Sequence, residues 1–411
     1  MGARRSLGRR FGWLWAAYGV STFGTRFAFD AFMLTAILVL HAGPTEVSVL
    51  SAAGLAVGAA VAVPLGPWVE FRRKRSVMIG MDLIRFAAVL SVPVAFALGW
   101  LGFGQLLVVS VIVAAADIAF RAASGAYLKA LLPPEDLLVA NGRFESTMWT
   151  ATALGPPLGG AAIGLFGPMA SLVTDAVSYL LSALGIRAIG GTEPRPVRTG
   201  VTRLRAADLL EGWRYIFRHP ALRLLLFNTT LVSGLILATA PLLAVLMLGP
   251  IGFTPLEYGM AFGLPCAGGL IGARLARPLV ARFGQHKVML VSGTLRACWL
   301  LGLALVSPGV PGLLFVIGVQ FGLVTCMGVF TPVFATYRLQ QTETDRVART
   351  LSAWSVTSNA TIAMLTALWG LLAGITGPRT AIAIAGVLLL ATPLLLPRQV
   401  RPRVPVSSPS A

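Results

Sequence analysis

Two carboxylates and two guanidinium groups stand in pairs one helical turn apart, inside stretches that are otherwise apolar. Arg26 and Asp30 form one pair; Asp117 and Arg121 form the other. An ionisable group in hydrocarbon is costly and marks a functional position by default. A carboxylate buried alone keeps its proton, and a cation brought beside it favours release. A carboxylate whose partner moves can therefore load and release a proton, whereas a pair that never moves only fixes packing. Both readings are open for Asp30 and for Asp117, with Arg26 or Arg121 as the tuning cation. Asp175 is a further acid in an apolar stretch, and Asn228 and Asn359 are polar groups that either meet a solute or bond between helices. His41, His219 and His286 are scattered, and Cys266, Cys298 and Cys326 have no metal-ligand spacing. No metal, cofactor or disulfide framework is expected.

The elements that hold these residues follow from composition. Of 411 residues 56% are hydrophobic and only 12% are charged. Soluble chains carry about 25% charged residues, so too few are present to cover a soluble surface. The apolar runs approach or exceed the roughly 20 residues that a spanning helix needs, and they lack the alternation of a membrane barrel. Twelve spans are expected, near 13–40, 46–69, 77–100, 104–128, 144–166, 169–190, 221–248, 257–280, 288–306, 311–337, 350–375 and 379–396. At 1.5 Å per residue, Arg26 and Asp117 then lie at matching depth, about 18–20 Å from the side of the N-terminus. Asp30 lies nearer the far side.

The basic residues set the orientation. With alternating spans, Arg379 alone among the 33 Lys and Arg falls in a loop opposite the N-terminus. Arg26, Arg85, Arg121 and Arg296 fall inside spans, and all the others collect on the N-terminal side. Both termini are expected in the cytoplasm. The net charge of +18 is thus a product of topology, and no nucleic-acid partner is expected. Residues 191–220 form the longest polar interval. It begins as a linker and continues as an amphipathic segment suited to a membrane interface. The expected organisation is a cytoplasmic N-terminus over 1–12, a six-helix bundle over 13–190, the 191–220 linker, a second six-helix bundle over 221–396 and a disordered tail over 397–411.

The two bundles are related. Pro67 to Met78 aligns without a gap on Pro278 to Met289, and the same offset carries Arg85 onto Arg296. Parallel six-helix repeats are a transporter architecture with its solute site near the midplane. Gly66-Pro-Trp-Val-Glu70-Phe-Arg-Arg-Lys-Arg75 resembles the loop signature of the major facilitator superfamily, although Phe71 replaces an Arg and Glu70 the usual Asp. Gly155-Pro156-Pro157-Leu158-Gly159-Gly160 matches the G-P-x-x-G-G pattern of that superfamily's antiporter branch. Met81-Asp82-Leu-Ile-Arg85 and Ala140-Asn-Gly-Arg-Phe-Glu145 are similar to its macrolide-efflux and enterobactin-exporter members.

The resemblance implies an all-α membrane protein of the major facilitator fold, not an enzyme, and a monomer in the cell membrane. It would export small amphipathic or hydrophobic molecules by proton antiport. Uptake of a small polar solute by a symporter or facilitator is the alternative. Asp30 is the favoured proton carrier, since a proton from outside reaches it first. Gly66, Glu70, Arg73, Arg75, Asp82, Arg85 and Glu145 are expected to form a cytoplasmic gate. Its basic side chains can bind helix-end carbonyls, carboxylates or lipid phosphates. Gly155, Pro156, Gly159 and Gly160 are expected to bend the fifth span and let it close against the other half.

Overall fold

The computed structural model describes residues 7–28, 30–54, 56–57, 72–190, 206–342 and 347–397. Gly66 and Glu70 lie outside this set, as do residues 1–6, 191–205 and 398–411. The first half contains α1 (Gly8–Phe27), α2 (Ala31–Leu38), α3 (described over 44–54), α4 (Lys74–Ala97), α5 (Phe103–Leu131), α6 (Pro134–Phe166) and α7 (Pro168–Ala188). Helix α8 (Ala206–Arg218) follows. The second half contains α9 (Pro220–Leu248), α10 (Pro255–Gly263), α11 (Cys266–Phe283), α12 (Gln285–Cys298), α13 (Gly309–Gln340), α14 (Val347–Thr376) and α15 (Pro378–Ala391). No strand occurs among the described residues. Nine segments among them are long and apolar enough to cross a membrane.

The expected first span differs from a single rod. It is broken between α1 and α2, and Asp30 caps α2 with a left-handed backbone (φ 51°). An Asp tolerates this conformation better than most side chains. The segment expected over 257–280 is also two helices, α10 and α11, which meet at Leu264-Pro265. Helix α6 starts ten residues earlier than expected, with Pro134 in its first turn, so Arg143 and Glu145 stand well inside it.

The repeat is visible in the element starts. Lys74 opens α4 and Gln285 opens α12, at the offset of the sequence alignment. Gly167-Pro168 links α6 to α7, and Gly377-Pro378 links α14 to α15. Each Gly has positive φ (77° and 85°) and each Pro begins a helix. Only Gly reaches that backbone geometry freely, and Pro loses nothing in a first turn.

One apolar core joins both halves at one end of the bundle, from Leu34, Leu50 and Leu172 to Leu242, Tyr258 and Trp369. At the other end the core is divided. Phe11, Met78 and Ile186 belong to a cluster of the first half, and Ile216, Met289 and Phe330 to one of the second. The divided end carries Arg75, Arg187, Arg282, Lys287 and Arg338, and is called the basic end below.

Helix α8 packs part of its apolar face on protein, while Phe217 is exposed. Tyr215 and Ile216 are buried. Trp213 Nε1 donates to Thr357 Oγ1 of α14 (2.9 Å), and the Tyr215 hydroxyl donates to the Gln341 carbonyl (3.2 Å).

Candidate functional site

The break after α1 turns the backbone into the centre of the bundle. There a cavity of about 520 Å³ opens among Thr25, Arg26, Asp30, Asp175, Tyr179 and Phe262. Thr25, Arg26 and Asp30 all present accessible surface to it. A smaller cavity of about 150 Å³ lies in the second half and shares Phe262 with the first. Its wall is apolar apart from Thr239 and Gln320. The charged groups of the site thus all lie on its first-half side, set among apolar side chains such as Phe32, Met33, Leu50 and Leu172, and the second-half side is almost wholly apolar.

Asp30 reaches across the boundary between the halves. The hydroxyl of Tyr258, on α10, donates to its Oδ2 over 3.4 Å. Tyr258 is buried, and its ring lies against Phe262. Asp175, which sequence alone ranked below Asp30 and Asp117, forms part of the same cavity wall. It accepts a hydrogen bond from Thr25 Oγ1 (3.2 Å), and Thr25 also bonds the Tyr179 hydroxyl (2.9 Å). Tyr179 stands one turn after Asp175, a spacing readable in the sequence. Nothing in the sequence pointed to Tyr258, because its partner lies 228 positions away.

Asp82 and Arg85, expected in a cytoplasmic gate, make their described ion pairs inside the first half. They are buried within the first half, where Arg85 pairs with Asp82 and with Asp117 Oδ1 (3.3 Å). The Arg85 guanidinium is sandwiched between the rings of Phe120 and Tyr179, at 4.5 and 4.4 Å. Asp117 Oδ2 accepts from Arg121 Nε (2.7 Å). The matching depth of Arg26 and Asp117 does not bring them together. Arg26 donates to Met148 Sδ (3.4 Å) instead. Two polar groups, Asp175–Thr25–Tyr179 and Asp82–Arg85–Asp117–Arg121, thus meet where the Arg85 guanidinium stacks on the Tyr179 ring. Both lie wholly within the first half.

The second half has no counterpart acids. Arg296 occupies the place of Arg85 and lies over the Phe330 ring (3.5 Å), as Arg85 lies over Phe120. Its Nη2 donates to Asn228 Oδ1 (2.6 Å), and Asn228 Nδ2 donates to the Thr392 carbonyl (2.7 Å). Asn228 is therefore a buried bracket between helices and not part of the cavity wall. Asn359, on α14, is half-buried and lines neither cavity. Glu257 is occupied in a capping box with Thr254 at the start of α10.

The glycine–proline segment of α6 lies between two neighbours. A Cβ at Gly155 or Gly159 would overlap the backbone of Arg26 or Phe27, next to the helix break. A Cβ at Gly160 would strike the Pro255 carbonyl of α10. In return, Gly259 and Gly263 of α10 make room for Pro156 and Pro157. Only absent side chains allow three helices to meet so closely. Around the same end Thr45 Oγ1 donates to the Gly370 carbonyl (3.0 Å), and Gly370 leaves space for Ser48. This seam packs the two halves together at the end opposite the basic one.

At the basic end Arg75 closes the last turn of α7. It donates to the carbonyls of Ile186 (3.1 Å), Arg187 (2.5 Å) and Gly190 (3.1 Å). Cations are favoured at helix C-termini. These bonds stay inside the first half, as does Arg73, the exposed N-cap of α4. The side chain of Glu145 lies outside the described residues, with Gly66 and Glu70.

Comparison with known proteins adds the family. The sequence profile of the Major Facilitator Superfamily matches residues 14–326 and 229–411. The chain belongs to this superfamily. It is a multi-pass membrane protein of a transporter family, not an enzyme. The multidrug efflux pump Tap of Mycobacterium tuberculosis (strain ATCC 25618 / H37Rv) is 29% identical over 221 residues, 51% of each chain. Tap of Mycolicibacterium fortuitum is 25% identical over 272 residues, 63% of this chain and 64% of that one. The matches thus span about half to under two thirds of these relatives. Among solved structures, nucleoside transporter NupG superposes with a TM-score of 0.76 at 10% identity, covering 94% of this chain and 98% of that one. A bacterial homologue of iron transporter ferroportin, in an inward-facing state, gives 0.70 at 17% identity, covering 95% and 100%. These likenesses establish the fold alone.

Proposed function

We propose that the chain exports small amphipathic or hydrophobic molecules by proton antiport and alternating access. In this reading it crosses the cell membrane twelve times, has both termini in the cytoplasm and acts as a monomer. The basic end is then cytoplasmic, and the described conformation is open inward and has its halves packed together on the outer side. The observation that carries the proposal is the Asp30 carboxylate. It is open to the central cavity, yet its partner Tyr258 belongs to the other half. Rocking the halves apart removes that partner, so the environment of the carboxylate changes with the state of the transporter. A proton carrier needs that link. Asp175 stands on the same wall and accepts from Thr25.

The cavity supports the solute class. Arg26, two acids and hydroxyls stand among apolar side chains such as Phe32, Met33 and Leu50 on the first-half side, and aliphatic side chains with Phe262 line the second. A molecule with one polar and one apolar face satisfies both. A small polar solute leaves the second-half wall unmatched, which counts against uptake of such a solute. The relatives named as multidrug efflux pumps agree with export.

The test is Asp30→Asn in everted vesicles. The amide keeps the shape and accepts from Tyr258, but it cannot titrate. Gradient-driven transport of a lipophilic dye should be lost, while downhill exchange and protein abundance persist. Retention of gradient-driven transport would refute Asp30 as carrier.

A further inference from the structure

A third cavity, of about 400 Å³, lies away from the centre, between α11, α12 and α13. Its floor includes Leu279, Val288 and Val329. The two hydroxyls in its wall are already occupied. Ser292 donates to the Val288 carbonyl (2.6 Å) and Thr325 to the Phe321 carbonyl (2.7 Å). The groove therefore offers hydrocarbon contact and solicits no polar ligand along its length. Its rim residues Phe283, Val291 and Leu295 are exposed.

One end of the groove is cationic. Lys287 lines it and is exposed, and the Arg282 guanidinium lies 5.2 Å from the ring of Phe283, another lining residue. Between Glu257 and Glu343 the sequence has no acid, so no carboxylate of this stretch neutralises the pair. Lys287 is in the first turn of α12 and Leu295 is eight residues further on. At 1.5 Å per residue the groove runs about 12 Å along the helix from its charged end. Lys287 stands at the basic end, where a spanning helix meets the headgroup layer, and the apolar part runs into the hydrocarbon layer.

We propose that this groove is a binding site for an anionic glycerophospholipid of the leaflet at the basic end. The headgroup phosphate sits on Lys287 and Arg282, and one acyl chain lies along Val291 and Leu295. Charge at the headgroup level, with no acid in the stretch that builds the groove, selects an anionic headgroup. The apolar groove continuous with that charge selects a lipid over a free phosphate. The site is separate from the central cavity and does not depend on the direction of transport.

The test uses the purified, delipidated full chain. Retention of phosphatidylglycerol and of phosphatidylcholine with identical acyl chains is read by native mass spectrometry. The parent should retain phosphatidylglycerol several-fold better. Arg282→Gln with Lys287→Gln should bring the two lipids to near parity, and Val291→Trp should reduce both by filling the groove. Arg274→Gln with Arg277→Gln, at the same end but off the groove, should leave the preference intact. Equal retention of both lipids by the parent would overturn the site. So would an equal loss in the Arg274 and Arg277 variant, since the attraction would then be diffuse. A second measurement does not rely on retention in detergent. With Cys266 and Cys298 replaced by Ala, Cys326 in the groove wall is half-buried. It should react with a maleimide several-fold more slowly in phosphatidylglycerol vesicles than in phosphatidylcholine vesicles. Equal rates would count against occupancy.

Discussion

Replacing Tyr258 with Phe removes one hydroxyl and leaves the buried ring in place. The hydroxyl donates to Asp30 across the seam at 3.4 Å. A hydrogen bond to a charged group contributes about 1.5–3 kcal/mol at good geometry. At 3.4 Å this one is longer than the usual O–H···O range, so about 1 kcal/mol is its upper figure. The bond exists only while the seam is closed. Its loss should therefore raise the ratio of seam-open to seam-closed molecules by up to about fivefold, since about 1.4 kcal/mol corresponds to a factor of ten. Spin labels at Leu165 and Ile375 report the change. Both are highly exposed, near the ends of α6 and α14 at the end opposite the basic one. With the three native cysteines replaced, the long-distance population between the labels should grow in Tyr258→Phe. The same change in an Asp30→Ala background should add nothing, because the acceptor is already gone. An unchanged distribution, or an equal shift with and without Asp30, would refute the bond as a determinant of the seam.

Further outcomes follow from the packing and the charges. Asp82→Ala leaves buried Arg85 with Asp117 as its remaining acid. At about 3 kcal/mol for breaking a buried pair, it should sharply lower folded protein in fluorescence-detected size-exclusion profiles. Asp117→Asn should cost less, because Asp82 remains beside Arg85 and Arg121 is largely exposed. Gly159→Val drives its side chain into the Phe27 carbonyl, and overpacking of this kind costs about 1–3 kcal/mol. Dye efflux should fall well below half of the parent's, while Gly164→Val in the same helix, which meets open space, should transport normally. Reporter fusions within 191–200 and after Pro397 should both read cytoplasmic, and an external signal at either would reverse the orientation.

The sequence made the class, the repeat and the dense glycine–proline segment legible, because composition, charge placement and small residues at fixed spacing are local signals. The acids of the first half were legible singly, as polar residues in apolar runs. Their pairing was not. Arg26 and Asp117 have equal depth but face different partners, and depth along a helix says nothing of azimuth. Asn228 illustrates the same limit: a polar residue in a span suggested a solute contact, but its partners Arg296 and Thr392 come from elsewhere in the chain. Tyr258 carries no signal in a stretch already rich in aromatics. The helix break at Asp30 was hidden too, since no Pro or Gly marks it.

The docking of α8 has a consequence for how the gene can be cut. Trp213 and Tyr215 fasten α8 to α14 and to the end of α13, so α8 is mechanically part of the second half although it precedes that half in the chain. Two polypeptides, one ending before Ala206 and one beginning there, would each keep their own helix contacts. The same junction would accept an inserted fluorescent domain without prying α8 from its seat. A cut after Arg218 would strand α8 on the wrong fragment and leave the Thr357 face of α14 uncovered.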